Sequence, residues 1–161
     1  MDNRLLNKNM IEGQIKPIGG MQNNILEAFD SIDRDDFIPQ DLKHNSYIEK
    51  NLFVKNDRFV LKANLIAKII LALNVSNEEN VLVIGSSTGY SSAIISKLAE
   101  TVISIEEDKE LLAFSEDAVS QTFRLPEFCS VSKTVLASVE YLPISVSKST
   151  VLVGSNGSMS S

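Results

Sequence analysis

Apolar residues at helical spacing predict two helices in the first half of the chain. Residues 24–32 form the first, and one of its faces packs inward. The apolar positions of this helix are Ile25, Leu26, Phe29 and Ile32. A turn at residues 35–39 follows, where Phe37 and Ile38 are expected to hold the segment against the main body. The second helix, residues 64–73, is so strongly apolar that we expect it to be almost wholly buried.

The middle of the chain predicts a strand, a tight turn, a helix and a second strand. The apolar run 80–84 leads into a turn between Gly85 and Gly89, and a helix begins around Tyr90. A second apolar run then ends at Glu106. Short apolar runs bounded by turn residues are typical of strands buried on both faces, as in parallel sheets covered by helices.

Beyond Glu106 the pattern continues with one helix and two strands. Asp108 stands at the N-cap position of a helix that Pro126 brings to an end. The apolar face of this helix consists of Leu111, Leu112, Phe114, Ala118 and Val119. Residues 129–135 and 150–153 predict further strands, which gives a parallel sheet with right-handed crossovers. The last strand is left at a sheet edge, an aggregation hazard, so either a partner covers it or the chain is shorter than its fold.

Length and charge narrow the class of protein. A chain of 161 residues fits one domain, 1–161, with an N-terminal helical and loop block at 1–75 and the first part of a sheet at 76–161. It carries 21 acidic and 15 basic residues, a net charge of -6, with no basic run. That balance argues against a nucleic-acid partner, whose phosphates require clustered Lys and Arg.

Cysteine, histidine and terminal patterns exclude several kinds of site. Cys129 is the single cysteine, so no internal disulfide forms, and the single histidine, His44, has no partner at metal-ligand spacing. We therefore expect no metal site and interpret His44 as a solvated loop residue. The N-terminus lacks the apolar core of a signal peptide, and no apolar run reaches the ~18 residues that span a bilayer. These features predict a soluble cytoplasmic protein with no membrane association.

The glycine turn is the candidate site for chemistry. Gly85 and Gly89 let the backbone turn sharply and approach a ligand, and the N–H groups that open the next helix point into the turn. An acid at the end of the following strand, Glu106, is placed to accept both hydroxyls of a ribose. The alternative is an ordinary strand-to-helix turn, because the full G-x-G-x-x-G spacing is absent.

The N-terminal block adds evidence that the glycine turn by itself does not give. Residues 10–17, 25–29, 34–39 and 47–52 match, in order and spacing, the opening of the protein L-isoaspartyl O-methyltransferase family. The resemblance continues from Val81 to Glu106 and covers about two thirds of the chain. The sequence is similar to a divergent, C-terminally truncated bacterial member.

The resemblance implies a fold, a cofactor and a reaction. The fold is the α/β, Rossmann-like parallel sheet of S-adenosylmethionine-dependent methyltransferases, here incomplete at the C-terminus. The cofactor would be S-adenosylmethionine, and the reaction methyl transfer to a carboxylate of damaged aspartyl residues in a protein or peptide. The implied cofactor-binding residues are Gly85, Ser86, Ser87, Thr88, Gly89, Tyr90 and Glu106.

The chain also departs from the family pattern. Phe59 and Leu61 occupy the positions of a threonine and a serine in the substrate loop, here residues 55–63, and neither donates a hydrogen bond. Loss of one donor to a charged group costs roughly 1.5–3 kcal/mol, and two donors are missing here, so ordinary isoaspartate repair is not expected. The catalytic residues are therefore left unassigned. Val83 replaces an acid and Ser87 the middle glycine of the cofactor turn, which predicts weaker cofactor binding. The family strands after residue 153 are missing, which predicts a truncated gene product.

Three functional hypotheses remain from the sequence. The first is an S-adenosylmethionine-dependent methyltransferase, and the second is a degenerate relative that binds the cofactor weakly or not at all. The third, a nicotinamide-dependent oxidoreductase, is disfavoured by the G-x-x-x-G spacing and by the long helical block before the first sheet strand. Asp35 and Asp36, or Glu106, Glu107 and Asp108, are alternatives for acid–base chemistry or metal binding, but except for Glu106 we interpret them as solvated loop acids.

Overall fold

The computed structural model describes residues 3–55, 58–123, 134–137 and 152–154. Its α-helices are α1 (Asn3–Met10), α2 (Asn23–Ser31), α3 (Ala63–Leu73), α4 (Tyr90–Ile95) and α5 (Lys109–Phe123). Its strands are β1 (Leu52–Lys55), β2 (Arg58–Val60), β3 (Asn80–Ile84), β4 (Thr101–Ile105), β5 (Thr134–Ala137) and β6 (Leu152–Gly154). Helices precede and alternate with the strands of an α/β fold.

In the described part of the chain, the main sheet has four parallel strands in the order β5-β4-β3-β6. Its central strands are lined up so that Val81 lies beside Val102 and Val83 beside Ser104, and all four side chains are buried. Burial of valines on these strands matches the apolar pattern of a sheet covered by helices. Among the described strands, β6 ends the order, as the sequence predicted for its last strand.

The two outer strands only partly overlap their predicted positions. β5 spans Thr134–Ala137, whereas the prediction was 129–135, of which 129–133 lie outside the described residues. β6 spans Leu152–Gly154, whereas the prediction was 150–153, of which 150 and 151 lie outside them.

The N-terminal block contains more helix than the sequence suggested. The predicted helix at 24–32 is α2, and Ile25, Ala28 and Phe29 bury its inner face. The sequence predicted no helix before it, but this part of the chain forms α1, a π-helical turn at Ile11–Ile15 and a 3-10 turn at Lys16–Ile18. Asn7 joins this segment to α2, because its buried amide donates to the Phe29 carbonyl at 2.9 Å.

Two predictions about the segment after Asn51 were wrong. The proposed loop at 55–63 contains β2, which pairs with β1 in a two-stranded antiparallel sheet where Leu52 faces Val60. Helix α3 is not almost wholly buried, since Lys68 and Ala72 are exposed. Its buried stripe consists of Ala63, Ile66, Ala67 and Ile70.

The apolar residues of the turn after α2 are buried as predicted, but one of its acids is buried against the prediction. Phe37 and Ile38 are fully buried, as expected. Asp35, which we interpreted as a solvated loop acid, is buried and accepts from the Ser46 hydroxyl at 2.6 Å and the Asn3 amide at 3.1 Å. Asp36 remains exposed. The correction follows from α1 and the 3-10 turn at Gln40–Asn45, which bring polar partners to Asp35 from distant sequence positions.

Candidate functional site

The glycine turn connects β3 to α4 at the carboxyl end of the main sheet. The amides of Gly85 and Ser86 donate to the Ile105 carbonyl at 2.8 and 3.2 Å, and the Gly89 amide donates to the Ser86 carbonyl at 2.9 Å. These bonds fasten the turn to the end of β4, so the sequence-predicted strand, turn and acid do meet in space. Ligands of open α/β sheets bind at this end of the strands.

Ser87 adopts a backbone conformation that favours glycine. Its φ is +53°, which costs a residue with a side chain roughly 1–2 kcal/mol. The hydroxyl is also buried with no hydrogen-bond partner in the described part of the chain. The observed φ explains why the family pattern has glycine at this position.

We expect Ser87→Gly to raise the free energy of unfolding by about 1 kcal/mol. The gain combines relief of the left-handed strain and removal of an unpaired hydroxyl, less the greater chain entropy of glycine. Denaturant unfolding measures it, and Ser87→Ala separates the parts, because alanine removes the hydroxyl but keeps the Cβ. A Ser87→Gly chain less stable than Ser87→Ala would contradict strain at this position.

A small cleft opens against the glycine turn. Its cavity volume is only about 10 Å³, room for about one water molecule. Its residues are Phe59, Val60, Leu61, Ile66, Gly85, Ser86, Ser87, Thr88, Tyr90 and Ser91. The hydroxyls of Ser86, Ser87 and Thr88 are buried and have no hydrogen-bond partner among the described residues. Because buried hydroxyls without partners are destabilising, three together beside a cleft fit a polar ligand that bonds to them.

Phe59 and Leu61 form the apolar side of this cleft. Phe59 also packs against Phe53 of β1 with ring centroids 5.8 Å apart, and Phe53 is 68% exposed. The two positions predicted to lack hydrogen-bond donors therefore do face the same cleft as the three hydroxyls. Val83, the other apolar departure, is buried within the sheet.

Tyr90 starts α4 from inside the core. Its ring lies 6.4 Å from that of Phe29 and 5.7 Å from that of Phe37, and the Arg34 guanidinium lies 4.7 Å above it. Burial raises the pKa of Tyr90 to about 12, although the neighbouring Arg34 opposes that shift. Tyr90 thus fixes the helix to the N-terminal block as well as lining the cleft.

Arg34 is a buried cation that sequence reasoning missed. Its Nε donates to the Ser46 carbonyl at 2.7 Å and its Nη2 to the Leu61 carbonyl at 2.8 Å. Burial lowers the pKa of Arg34 from its ordinary value. Its sequence context, an acidic turn, gave no signal of burial, because both acceptors are backbone carbonyls from other segments.

Glu106 does not reach the cleft as an open acceptor. Its side chain is fully buried. Oε2 accepts from the Ser87 amide at 2.7 Å, and Oε1 accepts from the Glu107 and Asp108 amides at 3.0 and 3.1 Å. The Arg58 Nε lies 3.3 Å from the same Oε1. The sequence placed Glu106 correctly at the end of β4 but gave no sign of Arg58.

The acids after Glu106 serve α5 and the two-stranded sheet. Asp108 caps α5 as predicted, because its Oδ1 accepts from the Glu110 and Leu111 amides at 2.9 and 3.1 Å. Its hydrogen bond with Lys55 lowers the pKa of Asp108. Asp108 is therefore a paired capping residue rather than a solvated acid, whereas Glu107 is 79% exposed.

The described residues contain neither a cluster of metal ligands nor a membrane-spanning helix. Within them, no group of three or more His, Cys, Asp or Glu side chains is arranged to hold a metal ion. No helix in the same residues is both long and apolar enough to cross a membrane.

Comparison with known proteins gives matches over most of the chain. A family model described as protein-L-isoaspartate(D-aspartate) O-methyltransferase matches residues 4–150. Protein-L-isoaspartate O-methyltransferase 2 of Marinobacter nauticus is 29% identical over 113 residues, 70% of this chain and 52% of the relative. Protein-L-isoaspartate O-methyltransferase of Aliivibrio fischeri is 34% identical over 93 residues, 57% and 45% of the two chains. The chain thus spans about half the length of the curated relatives it matches.

Solved structures match the fold. A Plasmodium falciparum structure, titled a putative protein-L-isoaspartate O-methyltransferase in complex with S-adenosyl-L-homocysteine, aligns with a TM-score of 0.64. The alignment has 15% identity and covers 85% of this chain and 62% of that one. A second structure titled protein-L-isoaspartate O-methyltransferase gives a TM-score of 0.63 at 18% identity, covering 84% and 41%. The α/β Rossmann-like sheet predicted from the sequence is confirmed.

Proposed function

Because the chain belongs to the protein-L-isoaspartate(D-aspartate) O-methyltransferase family, we propose that it binds S-adenosylmethionine at the glycine turn and transfers a methyl group to a protein carboxylate. The observation that carries the proposal is the set of three buried hydroxyls, Ser86, Ser87 and Thr88, without partners beside the cleft. The Plasmodium falciparum structure of similar fold, described as a complex with S-adenosyl-L-homocysteine, supports the choice of ligand.

The proposed cofactor residues have distinct tasks in this geometry. The turn presents its hydroxyls to the ligand, and Glu106 accepts from its ribose once an acceptor position is open. These positions are Gly85, Ser86, Ser87, Thr88, Gly89, Tyr90 and Glu106. When bound, the cofactor supplies an activated methyl group, so the protein contributes positioning and electrostatics rather than a strong base.

The apolar wall of the cleft favours a second candidate, a non-catalytic member that binds the ligand without transfer. Phe59 and Leu61 line the cleft at the two positions where the family pattern has hydroxyls, and neither holds a carboxylate by hydrogen bonding. Binding and transfer are therefore tested separately.

Calorimetric titration with S-adenosylhomocysteine tests binding. We expect saturable binding with a Kd below about 1 mM, the upper end of ordinary enzyme affinities. Thr88→Val keeps the side-chain shape but removes a hydroxyl that is unpaired in the free protein. It should weaken binding roughly three- to tenfold and raise the free energy of unfolding by about 1 kcal/mol.

Those opposite signs separate a ligand-binding hydroxyl from a purely structural one. Ser31→Ala is the control, because the Ser31 hydroxyl bonds to the Ala28 carbonyl at 2.9 Å, away from the cleft, and should leave the Kd unchanged. Absence of binding at millimolar ligand would overturn the proposal. Methyl transfer is then measured on an isoaspartyl peptide against its aspartyl counterpart, and binding without transfer to either favours the second candidate.

A further inference from the structure

Two cations of the small antiparallel sheet face the acids that follow β4. Lys55 Nζ lies 2.8 Å from both Asp108 Oδ2 and Glu110 Oε2. Arg58 Nε lies 3.3 Å from Glu106 Oε1, and its Nη2 lies 3.1 Å from Glu107 Oε2. The two cations therefore differ in one respect: only Arg58 contacts the acid proposed to accept the ribose.

The Glu106 carboxylate already has four donors around it. Ser87 donates to one oxygen, and two backbone amides and Arg58 surround the other. An ionised carboxylate offers about four acceptor positions, so these contacts occupy most of its capacity. The three amides belong to the backbone, whereas the fourth donor, the Arg58 guanidinium, belongs to a side chain with rotatable bonds. Arg58 is the donor that a ribose hydroxyl would have to replace.

The cleft is too small to hold a nucleoside while Arg58 covers Glu106. Its cavity volume of about 10 Å³ is far below the roughly 300–1,000 Å³ that is typical of small-molecule sites. Glu106 is not among the described residues that line it, and its side chain is fully buried. Arg58 is 20% exposed and immediately precedes Phe59, which does line the cleft. Withdrawal of Arg58 from Glu106 would therefore uncover the acid beside the existing cleft.

Glu107 can keep an ion pair with Arg58 when Arg58 leaves Glu106. It is 79% exposed and already accepts from Nη2, so the guanidinium keeps one charged partner when its Nε leaves Glu106. An ion pair with an exposed partner is weak, and salt screens it. A ligand can therefore displace Arg58 from Glu106 with a ribose hydroxyl, but the free energy needed to displace Arg58 lowers the ligand's apparent affinity.

We propose that Arg58 is a binding-determining residue that competes with the ligand's ribose for Glu106, so that this side chain restrains nucleoside affinity. The proposal rests on the proposed cofactor site. Apparent affinity falls in proportion to the fraction of molecules in which Glu106 is uncovered. Removal of the guanidinium should therefore tighten binding, which is the opposite of what loss of a ligand-contacting residue does.

The test is the affinity of the full chain for S-adenosylhomocysteine by calorimetry. Arg58→Gln should bind roughly three- to tenfold more tightly than the unaltered chain. Lys55→Gln is the matched control: it breaks the neighbouring ion pairs but leaves Arg58 on Glu106, so its Kd should stay within about twofold. Arg58→Lys keeps the charge and should restore most of the restraint.

Equal or weaker binding by Arg58→Gln would overturn the competition while the cofactor site stands. No binding by any variant would overturn the cofactor site and the competition together.

Discussion

Replacement of Arg34 by methionine is expected to lower the free energy of unfolding by about 3 kcal/mol. The change leaves the buried carbonyl of Ser46 and the partly buried carbonyl of Leu61 without their donors, at roughly 1–3 kcal/mol for the buried one and less for the other. It also removes the cation that lies 4.7 Å above the Tyr90 ring, worth about 1 kcal/mol. Relief from burying the charge offsets part of this loss, so the net effect is smaller than the sum.

Equilibrium urea unfolding measures the effect, and two further variants interpret it. Lys68→Met changes a cation on the exposed face of α3 and should stay within about 0.5 kcal/mol of the unaltered chain. Arg34→Lys keeps the charge but lacks the planar fork that serves two carbonyls, so it should fall between the two. An Arg34→Met chain as stable as Lys68→Met would show that the guanidinium does not join these segments.

Gly89→Ala is expected to destabilise the fold by about 2–3 kcal/mol. Gly89 has φ +88°, a conformation that costs a residue with a side chain roughly 1–2 kcal/mol. A Cβ at this position would also lie 3.1 Å from the Ser115 Cβ of α5, so α5 would have to move away from the turn. Because the same turn borders the cleft, ligand affinity should fall along with stability.

Gly13→Ala is the matched control for Gly89→Ala. Gly13 lies in the π-helical turn, its φ is not positive, and a Cβ there meets nothing within 4 Å. Alanine should therefore leave stability unchanged or raise it by about 0.5–1 kcal/mol, through the unfolded state. The unfolding midpoint should fall for Gly89→Ala and stay the same or rise for Gly13→Ala. A loss of stability in both variants would show that removal of any glycine, and not strain at Gly89, causes the effect.

The sequence predicted those features that depend on neighbours along the chain. The strand before Gly85, the helix from Tyr90 and the Asp108 cap each follow from periodicity or local hydrogen bonding over a few residues, and the structure has them. The first helical segment escaped because its helix carries few apolar residues. Asn7 is buried there through a carbonyl 22 residues away, which no local pattern contains.

The surroundings of the candidate site show the same division. The position of Glu106 at the end of β4 followed from the short apolar run that ends at this acid. Its burial and its contact with Arg58 did not, since Arg58 is 48 residues earlier and reaches Glu106 only because β1 and β2 form a separate sheet. The substrate-loop positions Phe59 and Leu61 were recognised as departures from a pattern, while their place on the wall of the cleft came from the structure.

The sequence by itself therefore determined the family, the alternation of strands and helices in a parallel sheet, and the glycine turn. Each of these depends on short runs of contiguous residues, whose spacing sets the local backbone geometry. Only the tertiary structure decided that Arg34 is buried between segments, that three turn hydroxyls lack partners, and that Arg58 covers Glu106. Burial and ion pairing depend on which distant segments meet. That meeting is set by packing of the whole chain rather than by any stretch of it.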